Sequence, residues 1–253
     1  MFRDFIYLMK YNLRLLQPVY LLVLFLTFLF SLASISTNIQ SDVDLLNTLM
    51  NIFGGKNPIE MSVIQIMYAY FPYLLIGLIV EAYIYYSLGS KNIFSLIRIN
   101  SRRIFNGAQL ATVGLLVLVF FISYYLIYLS IWHSFYDMNP IYTTETSVVI
   151  LMTISIQWIG AYTISLVQIV TALTFNKNNI GYLVMILIYF VHILFPQNNL
   201  VIGQNILLGK MHWNGSRYAE EFLIIFVLVN LLVCLLLFLW IRRKNNLIFI
   251  DLS

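Results

Sequence analysis

Charged residues and cysteine are both scarce in this chain. Charged residues make up 9% of the 253 positions and apolar residues 61%, whereas roughly 25% of an ordinary soluble domain is charged. So little charge excludes a soluble globular domain and predicts an integral membrane protein. The single cysteine, Cys234, lies in a leucine-rich run, which excludes both a disulfide framework and a thiolate metal site.

Motifs for nucleotide binding and catalysis are missing as well. The run Gly54–Lys56 lacks the upstream glycine and the following Ser or Thr of a phosphate-binding P-loop, so we expect this chain not to hydrolyse ATP. The pair Glu220–Glu221 lacks the arginine that intramembrane prenyl-protein proteases place four residues later. Three histidines lack the spacing of metal ligands: His133, His192 and His212. We therefore expect no enzyme activity, no cofactor and no metal on this chain.

Long apolar runs predict an all-α polytopic membrane protein with six transmembrane helices. A crossing needs about 20 apolar residues, and six suitable runs occur, of which the fifth is short. The predicted spans are Pro18–Ser36, Ile64–Leu88, Ala108–Trp132, Ser147–Phe175, Ile180–Phe195 and Phe222–Ile241. We expect residues 1–253 to form a single transmembrane domain, because the spans leave only loops of moderate length.

The distribution of Lys and Arg predicts the side of the membrane that each loop occupies. Eleven of the fourteen basic residues lie before the first span, between the second and third, between the fourth and fifth, or after the sixth. The other three are Lys56, Lys210 and Arg217. Because loops rich in Lys and Arg stay cytoplasmic, we expect a multi-pass protein of the cell membrane with both termini in the cytoplasm.

Residues 1–17 have the pattern of a helix that lies in the membrane interface. Apolar side chains cover one arc of the helical wheel, and Arg3, Lys10 and Arg14 form a polar stripe beside it. The apolar arc is Phe2, Phe5, Ile6, Met9, Leu13 and Leu16. Pro18 is predicted to end this helix and turn the chain into the bilayer. The alternative is a helix that only anchors the first span.

Two loops have features beyond those of simple connectors. Residues 89–107 contain an apolar stripe at helical spacing in a loop predicted to be cytoplasmic, which indicates either a protein partner or packing against the protein's own helix ends. Residues 196–221 form a long connection before the last span. Irregular backbone at membrane depth must be buried in protein or line water, so we predict a re-entrant or interfacial helical hairpin there.

Polar side chains inside the spans fall on defined helix faces. Gln157, Ser165 and Gln168 share a face of the fourth span, and Glu81 shares a face of the second span with tyrosines. A carboxylate inside a membrane is costly and is typical of a functional site. We interpret these faces as a substrate path or, alternatively, as helix packing and part of the aromatic belt. The candidate path residues are Tyr70, Tyr73, Glu81, Tyr85, Gln157, Ser165 and Gln168.

The order of residues around the loop after the second span resembles that of a known protein family. Glu81, Gly89, the apolar run Ile93–Ile97 and the sequence Ser101–Arg103 follow one another in that order. Together with the N-terminal helix, the six spans and the broken segment before the last span, this order resembles the permease subunits of ABC-2-type exporters. The composition, rich in Tyr, Asn and Ile, is similar to that of family members from low-GC Gram-positive bacteria that export or expel amphipathic peptides, including lantibiotic-immunity permeases.

The resemblance implies a transport function that depends on other chains. A cytosolic ABC ATPase carrying ATP and Mg would dock on the coupling segment, and a second permease copy or paralogue would complete the transporter. The implied coupling residues are Ile93, Phe94, Leu96, Ile97 and Arg98. The implied cargo is an amphipathic, cationic peptide or toxin-like molecule, with membrane lipid around the spans and no nucleic acid partner. A membrane-bound immunity or regulatory protein that acts by binding, without transport, is the alternative.

Overall fold

A computed structural model describes five helices and part of a further one. The described residues are 2–37, 63–88, 102–135, 144–175, 177–194, 228, 230–237 and 239. The helices are α1 (Phe2–Thr37), α2 (Val63–Tyr83, continued by a π-helical turn at Ile84–Leu88), α3 (Arg102–Phe135), α4 (Thr144–Phe175) and α5 (Asn178–Leu194). Within these ranges every residue except Lys177 is helical, which confirms the predicted all-α class.

Four of the helices are long and apolar enough to cross a membrane. The candidate spans are Arg3–Ser36, Ile66–Tyr86, Gly107–Phe135 and Ile150–Phe175, and they correspond to the first four predicted spans. Helix α5 is apolar over the shorter stretch Asn178–Val191. The predicted sixth span is described only at 228, 230–237 and 239, where it is helical. A total of six spans stays a prediction.

Helices α1 and α3 lie side by side and run in the same direction. Near their starts, Asn12 Nδ2 donates a hydrogen bond to Gln109 Oε1 at 3.1 Å. Further along both helices, the hydroxyls of Tyr20 and Ser123 share a hydrogen bond at 3.3 Å. Two spans can run in the same direction only if the chain crosses back between them, so this packing agrees with the alternation predicted for the first three spans.

Helix α2 contacts each of the other four helices. Its Phe71 ring stacks on Phe30 of α1 with centroids 3.8 Å apart. The Tyr73 ring lies 5.7 Å from Phe121 of α3 and 5.6 Å from Tyr189 of α5. Because the end of α2 is hydrogen-bonded to the start of α3, α2 runs opposite to α3 and therefore also to α1.

The basic residues of the described ranges lie together at one end of the bundle. The start of α1, the end of α2, the start of α3 and the junction of α4 with α5 lie together there. All six Lys and Arg residues of the described ranges lie at this end: Arg3, Lys10, Arg14, Arg102, Arg103 and Lys177. We call it the basic end. That it faces the cytoplasm stays a prediction from the charge distribution.

Pro18 does not end the first helix, so that prediction was wrong. Helix α1 is continuous from Phe2 to Thr37 with Pro18 inside it. A proline inside a helix removes one backbone hydrogen bond and costs about 3 kcal/mol, but α3 holds α1 on both sides of the proline through Asn12 and Tyr20. The side chain of Pro18 is exposed, so its ring does not have to fit between helices.

The buried face of the first half of α1 is rotated relative to the predicted apolar arc. Leu8, Asn12 and Leu16 are buried, and Phe105 of α3 closes an apolar cluster around Leu8. Ile6, which was predicted to lie in the apolar arc, is 37% exposed. The segment therefore packs on α3 with a face that includes a polar residue, because the amide of Asn12 finds a partner in α3.

Two predicted segments fall wholly or mostly outside the described residues. Helix α3 begins at Arg102, so residues 102–107, the last part of the predicted coupling segment, form its first turns. The remaining residues, 89–101, lie outside the described ranges, as does the predicted hairpin at 196–221.

Candidate functional site

Gln168 of α4 lies at a junction where three helices approach one another closely. Its side-chain Nε2 donates a hydrogen bond to the backbone oxygen of Gly77 in α2 at 3.0 Å. A Cβ atom on Gly77 would overlap Met185 of α5, and a Cβ atom on Gly181 would lie 2.5 Å from the backbone oxygen of Gln168. The absence of a side chain at Gly77 thus lets α5 approach α2, and the absence of one at Gly181 lets α5 approach α4.

Tyr70 and Tyr73 lie in an aromatic cluster on the other side of this junction. The rings of Tyr70 and Tyr189 are 5.8 Å apart and meet edge to face, and Tyr73 is buried between Tyr189 and Phe121. Aromatic rings prefer such edge-on geometry because their faces are negative and their edges positive. Both predicted path residues therefore contact α5, and Tyr73 also contacts α3.

The predicted polar face of α4 makes its hydrogen bonds inside the bundle. The Tyr125 hydroxyl of α3 donates to Gln157 Oε1 at 2.9 Å, and Ser165 Oγ donates to the backbone oxygen of Ala161 at 2.8 Å. Gln157, Ser165 and Gln168 are all buried. Their geometry in this chain is that of helix packing, for which small and amide side chains are well suited in membranes.

Glu81 and Tyr85 differ from the other predicted path residues because they lie on an exposed face of α2. Spacings of three and four residues put six side chains on this face, of which Met67, Leu78 and Tyr85 are exposed and the other three are half-buried. We call these residues the outer face of α2: Met67, Phe71, Leu74, Leu78, Glu81 and Tyr85.

The outer face of α2 is bounded by α1 and α5. At one edge Phe71 stacks on Phe30 of α1. At the other edge Tyr182 of α5 lies close enough to Glu81 for the two groups to interact electrostatically. The face is apolar and aromatic along most of its length, and its one carboxylate lies near the basic end.

Glu81 has no cationic neighbour within the described part of the chain. No Lys or Arg of the described ranges forms an ion pair with its carboxylate. A half-buried carboxylate at membrane depth is stabilised when a cation or a hydrogen-bond donor reaches it. A cation or hydrogen-bond donor that reached Glu81 would therefore be stabilised at this point of the outer face of α2.

A buried amide pair at the basic end was missed by sequence reasoning. Asn12 and Gln109 are hydrogen-bonded to each other, and the Tyr83 hydroxyl donates to the backbone oxygen of Gln109 at 3.2 Å. In the described structure Asn12 Oδ1 and Gln109 Nε2 have no partner. A usable signal was present, because Asn12 is spaced by four residues from Leu8 and Leu16 and so shares their face.

The remaining predicted residues divide into exposed ones and ones outside the described ranges. Arg3, Lys10 and Arg14 are exposed along the first half of α1. The predicted coupling residues Ile93, Phe94, Leu96, Ile97 and Arg98 lie outside the described residues. Among the residues that are described, no three His, Cys, Asp or Glu side chains come together as metal ligands would.

No protein-family model, curated protein or solved structure matches this chain.

Proposed function

We propose that this chain is the transmembrane permease subunit of an ABC-2-type exporter. It moves an amphipathic peptide or toxin-like molecule with positive charge out of the cell, and a separate cytosolic ATPase supplies the energy from ATP and Mg. The observation that carries the proposal is the outer face of α2, an apolar surface with a single carboxylate near the basic end.

The dimensions and chemistry of this face suit such a cargo. From Met67 to Tyr85 it extends about 27 Å at a rise of about 1.5 Å per residue, close to the thickness of about 30 Å of the hydrocarbon core. An amphipathic peptide would lay its apolar side along Phe71, Leu74 and Leu78 and bring a basic side chain to Glu81. A neutral lipid would gain nothing from the carboxylate, which is why we favour a cationic molecule.

A second permease copy or paralogue would convert this surface into an enclosed path. Two outer faces of α2 that oppose each other would form a cavity, and rigid-body movement of the two subunits would open it to one side of the membrane and then to the other. The ATPase would bind at the basic end, where α1 and α3 are packed together through Leu8 and Phe105. A movement of the ATPase at the basic end would be transmitted through the membrane along α1 and α3.

The proposal is tested by copurification and by transport with a matched charge change. The tagged full-length chain is purified from its host membranes in mild detergent, and we expect an ATPase subunit to accompany it. Inside-out vesicles are then tested for ATP-driven uptake of a labelled cationic amphipathic peptide. We expect Glu81→Gln to reduce uptake at least about tenfold, since one lost charge interaction of about 1.4 kcal/mol corresponds to that factor.

Glu145→Gln is the control, because Glu145 lies at the start of α4, at the end of the bundle opposite to the basic end. Peptide uptake by vesicles that carry Glu145→Gln should equal uptake by vesicles that carry the parent chain. Equal uptake by Glu81→Gln would reject the outer face of α2 as the peptide site. Peptide binding without any copurifying ATPase would favour instead an immunity or regulatory protein that acts by binding.

A further inference from the structure

The first half of α1 has an exposed face that the bundle leaves uncovered. Arg3, Tyr7, Lys10 and Arg14 are all exposed, and at about 100° per residue they fall within an arc of about 60°. Tyr11 is exposed beside them. We call these five residues the basic stripe. It lies on the side of α1 away from Leu8 and Asn12, which contact α3.

The position of the basic stripe is set by the helix that carries it. Because the opposite face of α1 is packed against α3, α1 cannot rotate about its axis to bury the basic stripe. Because α1 is unbroken at Pro18, the stripe also has a defined height relative to the membrane. Asn12 is hydrogen-bonded to Gln109, two residues after the start of the candidate span Gly107–Phe135 of α3. Because that span begins near the boundary of the hydrocarbon, we place Asn12 at this boundary.

The residues of the stripe lie at graded distances from that boundary. Along the helix axis Lys10 and Arg14 are each about 3 Å from Asn12, and Arg3 is about 14 Å from it. The headgroup layer is about 5 to 8 Å thick on each side of a bilayer, and charge interactions are screened over about 8 Å at physiological salt. Lys10 and Arg14 are thus within reach of lipid phosphates, whereas Arg3 lies beyond the headgroup layer by about one screening length.

We propose that Lys10 and Arg14, with Tyr11 beside them, form a binding site for the headgroups of anionic phospholipids in the leaflet at the basic end. Arg and Lys bind phosphate through charge-assisted hydrogen bonds, and a tyrosine ring is well suited to the headgroup layer. The site fixes the height of α1 in the membrane and does not depend on any transport activity of the chain.

The test uses three matched charge removals in the full-length chain. Parent and variants are purified in detergent with an equimolar mixture of phosphatidylglycerol and phosphatidylcholine, and retained lipids are counted by native mass spectrometry. We expect Arg14→Gln and Lys10→Gln each to reduce the ratio of retained phosphatidylglycerol to phosphatidylcholine about fivefold, since a basic residue near an anionic surface contributes about that factor. Arg3→Gln, which removes the same charge from the same stripe, should leave the ratio within about twofold of the parent value.

Arg14→Lys should retain the preference, because it keeps the charge, and it separates loss of charge from loss of fold. An unchanged ratio in both Arg14→Gln and Lys10→Gln would overturn the proposal, even if those variants lost a protein partner with an acidic surface. An equal loss in Arg3→Gln would overturn it too, because it would mean that the segment lies flat on the membrane rather than upright.

Discussion

At the scale of single residues, the close approach of helices depends on two glycines. Gly181 faces backbone atoms of α4, and a Cβ atom there would lie 2.5 Å from the Gln168 oxygen and 3.0 Å from the Ala172 Cβ. At Gly77 the neighbouring atoms belong instead to the flexible side chain of Met185 and to Tyr182. A side chain can move more easily than a helix backbone, so Gly181 is the stricter requirement.

We therefore expect Gly181→Ala to destabilise the protein. Forcing a methyl group against the backbone of α4 would push α5 outward and cost about 1 to 3 kcal/mol. Gly114→Ala is the matched control, because its Cβ would lie an ordinary 3.4 Å from Tyr162 and alanine favours a helix by about 1 kcal/mol over glycine. Thermal unfolding in detergent should give a lower Tm for the first variant only. A Tm for Gly181→Ala equal to that of the parent would show that α4 and α5 are less closely packed.

Only some of the polar residues singled out from the sequence lie where a ligand can reach them. Gln157, Ser165 and Gln168 share a helix face in the sequence pattern, and in the bundle that face is covered by α2, α3 and α5. Glu81 has the same kind of periodic spacing, yet it lies on the outer face of α2. Periodicity identifies which residues share a face, but the identity of the neighbouring helix depends on contacts between distant parts of the chain.

At the scale of helices, the two prolines inside the described helices occupy different environments. Pro18 of α1 is exposed, whereas Pro72 of α2 is buried. Each removes a backbone hydrogen bond from its helix. Replacing the exposed ring leaves no cavity, while replacing the buried ring removes packing contacts inside the bundle.

Pro18→Ala should accordingly raise the Tm, since it restores a backbone hydrogen bond in a helix that is already continuous, with an upper limit of about 3 kcal/mol. Pro72→Ala should give a smaller gain or a loss, because the cavity it leaves offsets the restored hydrogen bond. Thermal unfolding of the two variants in the same detergent provides the measurement. A lower Tm for Pro18→Ala would mean that the proline imposes a bend that the fold requires.

The predicted coupling segment provides a second test at this scale. Leu96→Asp combined with Ile97→Asp should abolish copurification with the ATPase partner and leave membrane insertion intact, because the apolar stripe would then carry two negative charges. Ser95→Asp is the control, since helical spacing predicts that Ser95 is on the side of the segment opposite to Leu96 and Ile97. Copurification that survives the double substitution would reject the assignment of this segment as the ATPase contact.

At the scale of the whole molecule, the bundle predicts which helix ends lie on the same side of the membrane, and cysteine labelling can test this. Lys10 of α1 and Lys177 between α4 and α5 belong to the same end, whereas Phe135 ends α3 at the other. The chain has a single native cysteine, Cys234, so a Cys234→Ala background allows cysteines to be introduced one at a time.

In intact cells, a membrane-impermeant maleimide should label a cysteine at Phe135 and should leave cysteines at Lys10 and Lys177 unlabelled until the cells are opened. The expected result follows from the shared basic end of the bundle together with the rule that basic loops stay cytoplasmic. Labelling of Lys10→Cys and Lys177→Cys from opposite sides would contradict the helix directions. If both cysteines were labelled from outside the cell, the helix directions within the bundle would stand, and the basic end would face outward instead of toward the cytoplasm.

Composition and local sequence pattern were enough to predict the helical class of this molecule and the positions of four of its spans. The scarcity of charge and the length of the apolar runs required helices that satisfy their own backbone hydrogen bonds in lipid, and four predicted spans coincide with α1 to α4. The continuity of α1 through Pro18, its buried face and the exposure of Glu81 instead depended on tertiary contacts. Asn12 meets Gln109 across 97 residues of sequence and Gln168 meets Gly77 across 91, separations that no local pattern spans.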